Sequence, residues 1–65
     1  MTAEDFNAWL AGMFRGGLIQ SELGAANLLG VTKNTLTKYK REGTDRKTAL
    51  ACRALYHKMD PWRLP

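Results

Sequence analysis

One cysteine, Cys52, and one histidine, His57, are the chain's whole supply of the two side chains most used for redox and metal chemistry. A single thiol excludes an internal disulfide and fits a reducing compartment. A single histidine with no spaced partner makes no metal motif. Cys52 is therefore expected as a small buried hydrophobe, and His57 at the surface or a dimer edge. No apolar run approaches the ~20 residues of a membrane span. The first residues lack the basic-then-apolar pattern of a secretory signal. There is no strand-like alternation, no repeat and no low-complexity tract. Paired carboxylates, a Ser/His/Asp set and a glycine-rich phosphate loop are also missing, so no enzyme class fits. The expectation is a cytoplasmic, non-enzymatic protein without cofactor, metal, membrane contact or small-molecule ligand.

What the chain does have is concentrated positive charge. Sixty-five residues allow one domain, spanning 1–65, with a net charge of +4. Between positions 33 and 47, Lys33, Lys38, Lys40, Arg41, Arg46 and Lys47 face only Glu42 and Asp45. The excess thus sits in fifteen residues, and the remaining charges balance. Localised basicity is the electrostatic footprint of a polyanion site, although most charge runs are only solvated faces.

Four helices with short connections can be read along the chain. TAEDFNAWLAGMFRGG opens with Thr2 as N-cap and Asp5 completing a capping box. Phe6, Trp9, Leu10, Met13 and Phe14 are its expected core residues, and Gly16-Gly17 its end. Ser21 caps ELGAANLLG, with Leu23, Ala26 and either Leu28 or Leu29 inward. Gly24 inside that helix suggests a close neighbour that requires a small residue. Gly30 and Val31 form a turn, Thr32 caps KNTLTKYKR and Gly43 stops it. Thr44 is the expected cap of DRKTALACRALYHKM, whose apolar positions are Ala49, Leu50, Cys52, Ala54, Leu55 and Met59. Asp60-Pro61 is its expected break. Trp62 and Leu64 form an apolar tail, with Trp62 expected to fold back on the core or else to join a subunit interface.

On a helical wheel starting at Lys33, Thr37, Arg41, Asn34 and Lys38 fall at about 40°, 80°, 100° and 140°. Leu36 and Tyr39 lie opposite, at about 300° and 240°, with Thr35 and Lys40 on the flanks. One side is an apolar anchor and the other an arc of cations, an amide and a hydroxyl. Lysine donates to phosphate or guanine, asparagine pairs with adenine edges, and threonine offers a hydroxyl or a methyl.

SELGAANLLGVTKNTLTKY resembles the helix-turn-helix of Cro/repressor-type (XRE-like) DNA-binding proteins. That pattern has a small residue in the first helix, a glycine four residues later and an apolar residue next. A second apolar residue follows five further on, and an aromatic or large residue three beyond. Ala26, Gly30, Val31, Leu36 and Tyr39 fill these positions. The likeness extends loosely over residues 2–60, and RKTALACRAL resembles the following helix of small phage-type members. The resemblance implies an all-α, four- to five-helix bundle of the lambda-repressor-like kind, bacterial or phage-encoded.

By the same resemblance, Thr32 to Arg41 would be the recognition segment, with Lys33, Asn34, Thr37 and Lys38 at base edges. Gln20, Ser21, Thr32, Thr35, Lys40, Arg41, Thr44, Arg46 and Lys47 would meet phosphate. Many members carry Gln where this chain has Glu22, whose charge repels phosphate and suits the helix dipole instead. The expected function is a transcriptional regulator, a repressor acting by occupancy and sometimes on its own operon, including those that control anti-defence genes. It would bind an inverted repeat in double-stranded DNA as a homodimer, with Leu55, Met59 and Trp62 at the dimer interface. The alternative is a protein-binding module of the same fold, an antitoxin or adaptor.

Overall fold

Side-chain caps set the start of every helix in the computed structural model, which describes residues 1–60 and 62. Four helices are present among them: α1 (Ala3–Arg15), α2 (Glu22–Leu29), α3 (Lys33–Glu42) and α4 (Arg46–Tyr56). Thr2 and Asp5 form the expected capping box of α1, with bonds of 3.1 and 3.3 Å. Ser21 accepts from the Gly24 amide, and Thr32 from the Thr35 amide. The cap of α4 is Asp45, not Thr44: the Asp45 carboxylate accepts from the Thr48 amide at 3.0 Å. A carboxylate accepts more strongly than a hydroxyl and also favours the helix dipole. Thr44 is occupied elsewhere, its amide donating to the Met1 carbonyl at 2.8 Å and its carbonyl accepting from the Met1 nitrogen.

Three helices stop in one way. A residue in the left-handed region turns the chain, and the next amide reaches five residues back. Gly17 and Gly30 do this at α1 and α2, with Leu18 donating to Met13 and Val31 to Ala26. At α4 the turning residue is Lys58, with φ 57°, and Met59 donates to Ala54 at 2.9 Å. This helix therefore ends at Tyr56, short of the Met59 expected from the apolar pattern. Nothing in the local composition marks a lysine for that conformation. Of the expected break at Asp60-Pro61, Pro61 lies outside the described residues, as does Leu64.

The core is built around α1. Phe6, Trp9, Leu10 and Met13 pack with Ile19, Ala25, Ala26, Leu36 and Cys52, all buried. Helix α1 lies against α3 and α4, and α2 lies against the same two. Trp9 reaches across and donates its indole N–H to the Cys52 carbonyl at 2.8 Å, fixing α4 on α1. Burial also pushes the Cys52 thiol up to about 11 from an ordinary 9.0, so the group is a packing residue, as expected.

Several inward assignments are corrected. Phe14, Leu23 and Leu50 are exposed, as are Met59 and Trp62. Phe14 is one step outside the face that Phe6, Leu10 and Met13 present to the core. In α2 the inward residues are Ala25, Ala26 and Leu29, so Leu23 and Leu28 point away. Trp62 does not fold back: it is 85% exposed. Gly24 has no close neighbour either, since an added Cβ would meet only Ser21 Oγ at 3.6 Å and Ile19 Cβ at 3.9 Å. Within the helices a close neighbour is admitted instead at Gly12 in α1, where an added Cβ would lie 3.1 Å from the Tyr56 ring.

Candidate nucleic-acid interface

Helix α3 is held by its apolar side. Leu36 is fully buried, and Tyr39 packs edge-on against Phe6 with ring centroids 5.5 Å apart. Asn7 of α1, mid-helix and unremarkable in the sequence, donates to the Lys40 carbonyl at 2.9 Å. It satisfies one of the carbonyls that a helix end leaves without an intrahelical partner. At the other end Ala26, Gly30 and Val31 form the joint with α2. Ala26 is fully buried and Gly30 adopts φ 71°, which a residue with a Cβ rarely takes.

With its inner side fixed this way, α3 turns Lys33, Asn34, Thr37, Lys38 and Arg41 outward, all exposed. Lys33 and Lys38 have no carboxylate partner among the described residues. The Asn34 side-chain amide makes no hydrogen bond among the described residues and sits in the first turn of α3. Thr37 donates its hydroxyl to the Lys33 carbonyl at 3.1 Å, which leaves a lone pair and a methyl group facing outward.

The remaining sequence-derived positions divide into three groups. Gln20, Ser21, Arg46 and Lys47 are exposed at the first turns of α2 and α4 or just before them. Thr32, Thr35 and Thr44 have hydroxyls already used. Thr32 and Thr35 lie 3.1 Å apart within the cap, and Thr44 donates to the Asp45 carbonyl. Lys40 and Arg41 are ion-paired, Lys40 Nζ with Glu22 Oε2 at 2.8 Å and Arg41 with its neighbour Glu42 at 2.9 Å. The Glu22 carboxyl is held below its ordinary 4.5 by the Lys40 hydrogen bond, with Lys33 adding to the effect. Sequence reading assigned Glu22 to the helix dipole and Lys40 to phosphate, and missed that they meet. The two lie at the ends of α2 and α3 remote from the Gly30–Thr32 turn, and no local spacing pairs them.

The positions expected at a subunit interface lie away from that arc. Leu55 is half-buried against the core. Together with Leu28, Leu29, Ala51, Ala54 and Met59 it lines an apolar groove of about 240 Å³ between α2 and α4, with Asp60 at one edge. Trp62 is exposed and is not among the residues lining the groove. Among the described residues no group of His, Cys, Asp and Glu could hold a metal, and no helix is long and apolar enough to cross a membrane.

Comparison with protein-family models, curated proteins and solved structures gives no significant match.

Proposed function

We propose that this chain is a helix-turn-helix regulator that binds duplex DNA with α3 as the recognition helix. One observation carries the reading: a helix clamped by Leu36, Tyr39 and Asn7 leaves Lys33, Asn34, Thr37 and Lys38 together, exposed and without an ion-pair partner among the described residues. A B-form major groove about 12 Å wide accepts such a helix, and these side chains match its donor and acceptor edges. Arg46 and Lys47, at the start of α4, are free to meet phosphate beside the groove. Binding as a homodimer would read an inverted repeat with half-sites about 34 Å apart, one turn of DNA. Occupancy of a promoter would then repress transcription.

Selection of bound duplexes from a random pool tests this proposal. The expected result is an enriched palindrome whose half-site centres are one helical turn apart. A pool that stays random after selection at low salt removes the reading. The groove between α2 and α4 favours one second reading, a module that docks a protein on this apolar surface. That module would show no duplex binding at low salt, whereas DNA binding weakens with salt by about 0.9 in log–log slope per phosphate contact.

A further inference from the structure

Glu22 and Lys40 form an ion pair bridging the first turn of α2 and the last turn of α3, at the edge of the proposed reading face. The two residues are eighteen positions apart and on different helices, so the pair is tertiary. Both side chains remain about one-third exposed. An exposed pair of this kind contributes little to folding stability, so its placement calls for another reason. An ammonium held at 2.8 Å by a carboxylate is neutralised as a phosphate ligand. It can release a counterion from DNA only if the carboxylate lets it go.

Resting on the DNA-binding reading above, we propose that Glu22 attenuates binding by sequestering Lys40, keeping one available phosphate contact closed. Lys40 is a latent contact that the native protein does not use. The consequence is lower affinity for all duplexes, with base discrimination left to Lys33, Asn34 and Lys38 unchanged. The partner class is the DNA backbone, and Glu22 is a positioning residue acting through Lys40.

A double-mutant cycle tests this, measuring duplex affinity against salt for the full chain, Glu22→Gln, Lys40→Ala and the double variant. Glu22→Gln is expected to steepen the log–log slope by about 0.9 and to tighten specific and random duplexes by the same factor. Lys40→Ala alone is expected to match the native slope. The double variant is expected to lose the gain made by Glu22→Gln. A native slope for Glu22→Gln, or a slope lowered by about 0.9 in Lys40→Ala alone, overturns the sequestration. So does a gain from Glu22→Gln that persists without Lys40, because the effect is then long-range charge. If the native chain binds duplex and the cycle fails, only this inference falls. If none of the four proteins binds any duplex, the DNA reading falls with it. Thermal unfolding of all four, expected to be nearly superimposable, separates the effect from loss of fold.

Discussion

Gly43 and Gly24 show how differently one residue type can act. Gly43 adopts φ 88° and ψ −172°, a region essentially reserved for glycine, and its Cα faces the Met1 carbonyl and the Ala3 amide. Gly43→Ala is therefore expected to destabilise by at least about 1–3 kcal/mol, read as a lower urea midpoint. Gly24 is helical and an added Cβ would make only ordinary van der Waals contacts, so Gly24→Ala is expected to stabilise by about 0.5–1 kcal/mol. The sequence distinguishes these two only partly. A glycine after a basic run announces a stop, but the Met1 backbone crossing it does not show in any local pattern. At the proposed reading face, Lys38→Ala is expected to cost about 1–3 kcal/mol on an enriched duplex and much less on random DNA. Equal losses on both would make Lys38 a phosphate contact.

At the scale of elements, caps were the most legible feature of the sequence. Thr2, Ser21 and Thr32 stand where their local sequence put them, because capping depends on residues three apart. Thr44 against Asp45 was a choice between adjacent capable residues, decided by the backbone pairing of Thr44 with Met1, which is long-range. The end of α4 was illegible for a related reason, since a lysine carries no mark of a left-handed turn. The α4 cap has a pH consequence. The Asp45 carboxyl is held below its ordinary 3.8 chiefly by the Thr48 side-chain and backbone hydrogen bonds. A depressed pKa adds stability above the ordinary value, and this is lost as pH falls through the folded one. The urea midpoint should therefore drop on acidification from pH ~5 to ~3. Asp45→Asn, which keeps a capping oxygen, should drop less. Identical pH profiles would show that the cap carries no titrating stability.

For the whole molecule, the apolar anchor of α3 and its polar arc could both be read from helical spacing, since one helix's periodicity fixes which side is buried. The packing of α2 and α4 could not. Leu23, Leu28, Leu50 and Met59 look like core residues by type, yet they lie on the surface of a four-helix body too small to enclose them. Met59 is 62% exposed and lines the α2–α4 groove, and Trp62 is 85% exposed. A standard interface covers ~800 Å² per partner, roughly a sixth of the 4969 Å² surface. The principal extents of 37 × 24 × 19 Å are compatible with two copies whose α3 faces stand about one DNA turn apart. If the proposed homodimer forms through this groove, Met59→Glu is expected to weaken self-association by about tenfold or more in sedimentation, without lowering the monomer's unfolding midpoint. An unchanged distribution would count against this groove as a subunit contact.

The claim beneath all of this is that the outward side of α3 lies against duplex DNA. Amide and side-chain NMR of the labelled chain, titrated with the duplex enriched by selection, tests it most directly. The account predicts that the largest shifts fall on Lys33, Asn34, Thr37 and Lys38, with smaller ones at Arg46 and Lys47, and that Leu50 on the exposed side of α4, outside the groove, barely moves. Shifts centred on α1 or on the α2–α4 groove, with α3 silent, would contradict it.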